Sequence, residues 1–167
     1  MAEEIFDVVD RHDAVISQAP RTEVHARGLL HRAVHVLVFN ARGEIFLQQR
    51  ARTKDTFPSR WDSSAAGHVA AGDTYLDTAP REVKEELGVK IRAEALEPLF
   101  YLEASEQTGQ EFVWVYGAAH EGPFTLQASE LEGGGWFAPE VVDWWVQNRP
   151  QDHAPSFVLI WQRWRGK

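Results

Sequence analysis

The chain has 167 residues, of which 44% are hydrophobic and 25% charged, a composition typical of one soluble globular domain spanning 1–167. Its net charge of −8 argues against nucleic acid or an anionic membrane as the main partner, and the lack of cysteine excludes disulfides, thiolate metal sites and a cysteine nucleophile. No apolar run approaches the roughly 20 residues of a membrane span. The acidic start has no signal-peptide pattern, so we expect a cytoplasmic protein.

Residues 1–30 predict an N-terminal extension made of a hairpin and a short helix. A polar turn, Arg11-His12-Asp13, separates two strand-like runs, and Thr22 is expected to cap the helix that follows. The clearest hairpin signal comes next, where Ala41-Arg42-Gly43 joins two further strand-like runs. The elements predicted in this half are strands over 4–10, 14–18, 34–40 and 44–50 and a helix over 22–31.

The second half alternates strands with helices. One helical segment ends near Gly88, where a left-handed residue is easily accommodated, and another begins at Pro139. Pro80 lies inside the first segment and predicts either a kink there or a late start with Thr78 as the cap. The remaining predicted elements are strands over 90–93, 98–103, 111–119 and 133–137 and helices over 139–148 and 154–165. The whole pattern predicts an α/β fold with a mixed sheet covered by helices.

Three carboxylates in the first of these helices form an acidic cluster. Glu82, Glu85 and Glu86 are three and four residues apart, so on a helix they fall within an arc of about 100°. Like charges at this spacing destabilise a helix, whereas hard divalent cations bind to such oxygen-only ligand sets. Taken alone, the pattern also suits a solvated acidic face. The adjoining apolar stripe, expected to pack on the core, consists of Leu76, Ala79, Val83 and Leu87.

The residues around the acidic cluster match a known motif. From Gly67 to Val89 the sequence reads G-x5-D-x7-R-E-V-K-E-E-L-G-V. This pattern resembles the Nudix box, G-x5-E-x7-R-E-U-x-E-E-x-G-U with U an apolar residue, and it departs only at Asp73, where the family has Glu. The resemblance implies an α/β/α sandwich with the box helix on one face. It also implies a hydrolase that cleaves a phosphoanhydride bond in a small nucleoside diphosphate-linked substrate.

The same resemblance implies roles for individual residues. The expected cation is Mg²⁺ or Mn²⁺, and its implied ligands are the carboxylates of Glu82, Glu85 and Glu86 and the backbone carbonyl of Gly67. Arg81 would orient Glu85 through a salt bridge. The general base varies within the family, and Glu85 and Glu111 are the two candidates here.

The flanks of the box resemble the isopentenyl diphosphate isomerase branch of the same superfamily, which binds an extra metal. By position, the residues that resemble its ligands are His25, His31, His68 and Glu111, with Gly109 where a second Glu would stand. That branch uses a cysteine acid just before the G-H pair, and Ala65 and Ala66 cannot transfer a proton. We therefore favour hydrolysis over two alternatives, an isomerase and a non-catalytic module that binds a phosphorylated ligand. The histidines could instead hydrogen-bond loop backbone.

Other aromatic and basic residues are assigned to the core or to possible substrate contacts. His35 lies mid-strand and is expected in the core, while Trp61 and Trp114 lie nearer the predicted site and could stack on a nucleobase. The tryptophans expected to form the core under the C-terminal helices are Trp136, Trp144, Trp145, Trp161 and Trp164. The residues of the basic loop before the box that could contact a second phosphate, or simply be solvated, are Arg50, Arg52, Lys54 and Arg60.

Overall fold

The order of elements follows the predicted alternation of strands and helices. The computed structural model describes residues 3–166. Its elements are β1 (Ile5–Val9), β2 (Val15–Pro20), α1 (Arg21–Arg27), β3 (His31–Phe39), β4 (Ile45–Arg50), β5 (Trp61–Asp62), β6 (Ala65–His68), α2 (Tyr75–Leu87), β7 (Glu97–Leu102), β8 (Glu111–Ala119), β9 (Leu131–Phe137), α3 (Pro139–Asn148) and α4 (Pro155–Trp164). Two short 3₁₀ turns, Ala93–Ala95 and Pro150–Asp152, precede β7 and α4.

A seven-stranded mixed sheet occupies the centre of the fold. Its strand order is β5-β4-β3-β8-β7, with β6 also paired to β3 and β9 to β4. Strands β3 and β8 are parallel, whereas the other pairs are antiparallel. The register pairs β3 with β4 only at Val38–Phe46 and Phe39–Ile45. Beyond those pairs β3 continues beside β6 and β4 beside β5, so the sheet opens around the 61–68 segment.

Alternation along β3 builds a separate core on each face of the sheet. Val34, Val36 and Val38 point to the face covered by α2. Ala33 and Leu37 point to the opposite face, where they join the core formed with α3 and α4. The helix residues that complete the two cores are Val83 and Leu87 on one face and Val142, Phe157, Ile160 and Trp161 on the other. The predicted α/β/α sandwich is confirmed. No helix among residues 3–166 has the length and apolar character needed to cross a membrane.

Helix α2 starts earlier than Pro80 suggests. The Thr74 hydroxyl accepts a hydrogen bond from the Asp77 backbone N–H (3.0 Å), and the Asp77 carboxylate accepts one from the Thr74 N–H (3.4 Å). This capping box satisfies two backbone donors at once. The predicted cap at Thr78 is wrong, because its hydroxyl lies inside the helix and donates to the Thr74 carbonyl (2.8 Å). Gly88 ends the helix at φ 73°, as predicted.

Several local predictions are wrong. Residues 90–93 form no strand, and the first helix ends at Arg27 rather than at residue 31. Thr22 does not cap that helix, because the helix begins one residue earlier, at Arg21, and the Thr22 N–H donates to the Glu3 carboxylate (2.6 Å). Leu76 and Trp144 are 45% and 60% exposed and do not belong to either core. Strands β5 and β6 were not predicted, because segments of two and four residues are too short to show a period.

Asp13 ties the N-terminal hairpin to the main domain. It occupies the turn between β1 and β2 with φ 62°, a conformation that Asp tolerates better than most residues. Its carboxylate accepts hydrogen bonds from Arg32 Nε (2.6 Å), the Tyr75 hydroxyl (2.6 Å) and the Tyr101 hydroxyl (3.1 Å). One side chain in the turn therefore connects β3, α2 and β7.

Two buried histidines differ in how their rings are satisfied. His35 lies in the core as predicted, with its Nδ1 2.8 Å from the Ser63 hydroxyl oxygen. His153, just before α4, is fully buried against Trp145 and Phe157, and neither of its ring nitrogens has a hydrogen-bond partner among residues 3–166. Burial lowers the pKa of His153 to about 4. The His153 ring is therefore neutral in the folded protein at neutral pH.

We expect His153 to make the protein less stable as the pH falls from about 6.5 to about 4. In this window the unfolded chain binds a proton that the folded chain does not, which removes up to about 3 kcal/mol of stability. Replacing His153 by Phe sacrifices no hydrogen bond and should flatten the pH dependence while leaving stability at pH 7.5 equal or higher. Urea unfolding at a series of pH values measures this, and parallel pH profiles for the two proteins would contradict it.

Candidate active site

The three carboxylates of α2 line a cavity of about 590 Å³, a volume in the range of small-molecule sites. Glu86 is buried, and its Oε1 accepts hydrogen bonds from the Ala66 N–H (2.9 Å) and from Gln48 Nε2 (3.1 Å). Glu82 is half-buried and Glu85 is exposed. Among residues 3–166, none of the three pairs with a lysine or arginine within 4.0 Å. The acidic side chains thus face the cavity without neutralising partners.

Gly67 lets the Glu82 carboxylate approach the backbone of β6. A Cβ atom added at Gly67 would lie 2.2 Å from Glu82 Cδ and 2.5 Å from its Oε2, well inside van der Waals contact. Glycine is therefore required here by close approach, since its φ is not in the left-handed region. The first residue of the predicted motif, Gly67, and its first helix carboxylate, Glu82, therefore pack directly against each other.

Replacing Gly67 by Ala should displace the Glu82 carboxylate and lower kcat by about 100-fold, as misplacements near 1 Å can do. The fold should survive, because the added methyl group meets the end of one flexible side chain. Gly133→Ala in β9, outside the cavity, is the comparison variant, because its φ is not in the left-handed region and its Cβ would come no closer than 3.6 Å to Gln49 Oε1, an ordinary contact. Steady-state kinetics together with circular dichroism test this expectation. Unchanged kcat in the Gly67 variant would contradict it.

The charge in this cluster suits a divalent cation. Burial, followed by the charge of Glu85, raises the pKa of Glu82 to about 8. Burial and the charge of Glu82 raise the pKa of Glu86 well above its ordinary value. Without a cation, these carboxylates are ionised only at a cost in free energy. Oxygen-only donors with unbalanced negative charge fit Mg²⁺ or Mn²⁺ better than softer metals.

The predicted salt bridge between Arg81 and Glu85 is wrong, because Arg81 pairs with Asp73 instead. Its Nη1 donates to Asp73 Oδ2 at 2.7 Å, and this hydrogen bond is the main reason that the pKa of Arg81 is raised. The shorter Asp at position 73 therefore reaches the arginine without the extra methylene of Glu. The pair ties the segment before α2 to the helix that carries the carboxylates.

A second cluster of polar side chains forms where four elements meet. His31 and Glu111 are register partners at the start of β3 and β8, and His68 pairs with Ala33 at the end of β6. His25 reaches the same place from α1. One ring nitrogen from each of the three histidines, His25, His31 and His68, lies within 4.8 Å of the corresponding nitrogens of the other two. The sheet register thus brings together His31, His68 and Glu111, which are up to 80 positions apart in sequence, and α1 adds His25.

Glu111 completes this histidine cluster. Its Oε2 lies 2.8 Å from His68 Nε2 and 3.3 Å from His31 Nε2. Burial by itself would raise the pKa of Glu111, but the two imidazoles outweigh it and hold the pKa below its ordinary value. His31 is 1% exposed, and its Nε2 has no hydrogen bond of good geometry to any residue in the described part of the chain. Gly109, in the β7–β8 loop, adds no side chain to the cluster.

The basic loop before the box is only partly in the cavity. Arg50 and Lys54 line it, whereas Arg52 and Arg60 do not. Lys54 forms an ion pair with Glu130, and Arg50 donates to the Thr56 carbonyl (2.9 Å). Both cations are therefore already engaged by the protein. No tryptophan in the described part of the chain lines the cavity, so the stacking role considered for Trp61 and Trp114 finds no support.

Comparison with known proteins identifies the family. The NUDIX domain model matches residues 29–158, which is most of the chain. The chain belongs to the Nudix family. An uncharacterised Nudix hydrolase of Yersinia pestis is 35% identical over 83% of this chain and 75% of its own length. The Nudix hydrolase YfcD of Escherichia coli K12 is 36% identical over 83% of this chain and 76% of its own length.

Solved structures agree with the Nudix assignment. The crystal structure of DR0079 from Deinococcus radiodurans superposes with a TM-score of 0.85 at 28% identity, covering 96% of this chain and 98% of that one. The NUDIX domain of Shewanella oneidensis NrtR, solved with ADP ribose, has the same fold, with a TM-score of 0.64 at 15% identity over 89% of this chain and 98% of that domain. Nudix hydrolases act on pyrophosphate bonds and generally use divalent metal ions, and this chain is such a hydrolase. Its resemblance to the isomerase branch stays a prediction.

Several residues of this Nudix site were not found from the sequence. Gln48 holds Glu86 from β4, and Phe57 and Gln127 line the cavity from loops. Their sequence surroundings show no motif, because loop residues reach the site only through the path of the backbone. Gln48 gave no signal of this kind, because it opens the polar second half of β4, which ends with Gln49 and Arg50.

Proposed function

We propose that this Nudix hydrolase cleaves the phosphoanhydride bond of a nucleoside diphosphate-linked small molecule, using Mg²⁺ or Mn²⁺ held by Glu82, Glu85 and Glu86. The observation that carries the proposal is the convergence of these carboxylates on one cavity with no basic partner within 4.0 Å in residues 3–166. Gly67 packs against the Glu82 side chain, and its backbone carbonyl would, as the family pattern implies, add a fourth oxygen. The chemistry supplied by such a cation is neutralisation of phosphate charge and acidification of water.

The individual glutamates have different roles in the proposed reaction. Glu86 is held in position by the hydrogen bonds that its Oε1 accepts from the Ala66 N–H and from Gln48 Nε2. Glu85 is exposed to the cavity and is the better placed of the two candidates to accept a proton from water. Glu111 is the weaker candidate, because its carboxylate is engaged by His68 and His31.

A substrate panel with purified protein tests this function. Nucleoside diphosphates and nucleoside diphosphate sugars are incubated with Mg²⁺ or Mn²⁺, and the phosphate-containing products are measured. Glu85→Gln should abolish cleavage, whereas Glu94→Gln, at an exposed glutamate near Arg92, should leave it unchanged. Tight binding without turnover would instead favour the binding module. Conversion of isopentenyl diphosphate without phosphate release would favour the isomerase.

We further propose that His25, His31, His68 and Glu111 hold a second divalent metal of the transition series. The donor set fits such an ion, because imidazole nitrogens together with one carboxylate suit Mn²⁺, Fe²⁺, Co²⁺ or Zn²⁺ better than Mg²⁺. Support comes from the buried His31 Nε2, which is directed towards the Glu111 carboxylate but has no good hydrogen bond. The alternative is a purely structural histidine–carboxylate cluster.

Cobalt binding separates these two possibilities. Metal-stripped protein titrated with Co²⁺ should bind one equivalent in this cluster and develop visible absorption bands of a nitrogen-ligated ion. His25→Ala and His68→Ala should lose these bands, while Glu85→Gln and the exposed-histidine variant His12→Asn should keep them. If Co²⁺ gives no bands, or if bands persist in both histidine variants, the cluster is structural.

A further inference from the structure

Phe57 is an unusual residue in the cavity wall. It lies in the loop between β4 and β5, lines the cavity and is 42% exposed. In the described part of the chain it is the one Phe, Tyr or Trp side chain that does so. The other apolar lining residues are small, among them Val24, Ala33 and Ala66. The cavity therefore presents one large apolar surface, and that surface is a flat ring.

The loop holds Phe57 in a strained conformation. Its φ is 48°, in the left-handed region that Phe rarely adopts. Arg50 Nε donates to the carbonyls of Thr56 and Phe57 (3.2 Å each), and the Arg60 guanidinium lies 5.3 Å from the centre of the Phe57 ring. Such strain persists only where surrounding contacts impose it, and it is common at ligand-binding positions. The ring is thus held at the cavity without being buried.

The rest of the cavity indicates what the ring would contact. One part carries the carboxylates expected to bind a cation–diphosphate group. The side-chain amides of Gln107, Gln110 and Gln127 also line the cavity, and none has a hydrogen bond to the described residues of the protein. Amides suit the polar edge of a heterocycle, while an aromatic ring suits its face. A long aliphatic group would find no continuous apolar wall here.

We infer that Phe57 stacks on the nucleobase of the substrate and sets a preference for nucleoside diphosphates over diphosphates that lack a base. This inference rests on the proposed function, since it takes the acidic cluster to be the diphosphate end of the site. Base stacking on an aromatic side chain contributes enough to change affinity by about tenfold or more.

The test compares two substrates and three variants. Nucleoside 5′-diphosphates are compared with ribose 5-diphosphate, which has the same phosphoanhydride bond but no base. Phe57→Asn removes the ring but keeps a residue that tolerates positive φ, and Phe57→Tyr keeps the ring. Trp144→Asn removes an aromatic ring that is more exposed than Phe57 and lies on α3, outside the cavity. Calorimetric binding of an α,β-methylene nucleoside diphosphate, which cannot be hydrolysed, gives affinity independently of activity.

Phe57→Asn should raise the KM for nucleoside diphosphates and the Kd of the methylene analogue by about tenfold or more. Its kcat should stay within about twofold, and its KM for ribose 5-diphosphate should not change, because only the stacking contact is lost. Phe57→Tyr and Trp144→Asn should resemble the wild type. The inference is overturned if Phe57→Asn affects both substrates equally, which indicates loop distortion, or affects neither.

Failure of this inference can be told apart from failure of the proposed function. If the wild type cleaves nucleoside and ribose diphosphates with the same KM, and Phe57→Asn changes neither value, the hydrolase assignment stands and stacking is rejected. If the wild type cleaves neither but binds the methylene analogue through Phe57, stacking stands and the hydrolytic proposal is rejected. Absence of both cleavage and Phe57-dependent binding rejects both.

Discussion

Replacing Glu86 by Gln is expected to lower kcat at least about 100-fold and to make the metal-free protein more stable. The amide oxygen of Gln can still accept the hydrogen bonds from Ala66 and Gln48, so the local structure should persist. The charge needed to bind a cation is lost. Stability and activity therefore move in opposite directions, which a purely structural carboxylate would not produce.

The sign of the stability change follows from the pKa of Glu86. Burial and the charge of Glu82 raise this pKa above its ordinary value of 4.5, so folding at higher pH requires either proton uptake or a buried charge. Both disfavour the folded state above about pH 4.5, and Gln avoids both. We expect a gain of about 1 kcal/mol or more at pH 8, which corresponds to about 2–4 °C in the unfolding temperature.

Thermal unfolding in EDTA and in Mg²⁺, together with steady-state kinetics, measures these effects. Added Mg²⁺ should stabilise the wild type and should stabilise Glu86→Gln much less, since the variant binds the cation weakly. Glu94→Gln, at an exposed position, should leave both stability and kcat unchanged. Lower stability of Glu86→Gln in EDTA would contradict the interpretation, because it would show that the ionised carboxylate holds the fold.

Replacing Asp13 by Ala should destabilise the protein by about 2–4 kcal/mol, the second large effect we expect. The change removes the shared carboxylate acceptor of Arg32, Tyr75 and Tyr101 and leaves the Arg32 guanidinium with the Asp13 backbone carbonyl but without its counter-charge. Asp13→Asn keeps an oxygen acceptor and tolerates φ 62°, so it should lose less. The difference between the two variants separates the contribution of charge from that of hydrogen bonding.

Urea unfolding of Asp13→Ala and Asp13→Asn measures this effect. Glu94→Ala serves as the control, because the exposed pair that it breaks with Arg92 (3.8 Å) contributes less than about 1 kcal/mol. Asp13→Ala should also unfold about 2–4 °C lower for each kcal/mol lost. A loss no larger than that of the control would mean that the N-terminal hairpin is not anchored by this turn.

The acidic helix was predictable because its information is local. Residues three and four apart share a face of any helix, so the spacing of Glu82, Glu85 and Glu86 fixes their convergence before any tertiary contact is known. Gly88 ends the helix for a similarly local reason. The start of the helix was misjudged because Pro80 was given more weight than Thr74 and Asp77, whose reciprocal hydrogen bonds fix the first turn.

Pairings between distant segments could not be predicted in the same way. The partner of Arg81 is Asp73 rather than Glu85, since the loop before α2 folds back onto the helix. Asp13 looked like an ordinary polar turn residue, and only the packing of the hairpin against β3, α2 and β7 gives it three partners. Trp144 was expected in the core, but α3 turns that side of its surface to solvent.

The sequence by itself determined the family, the acidic helix and the sandwich of helices around a mixed sheet. These depend on residue spacing along single elements, where the period of a helix or strand decides which side chains share a face. The tertiary structure alone decided that Asp13 meets Arg32, Tyr75 and Tyr101 and that Phe57 faces the cavity. Sheet register and loop path set those contacts, and neither leaves a local period in the sequence.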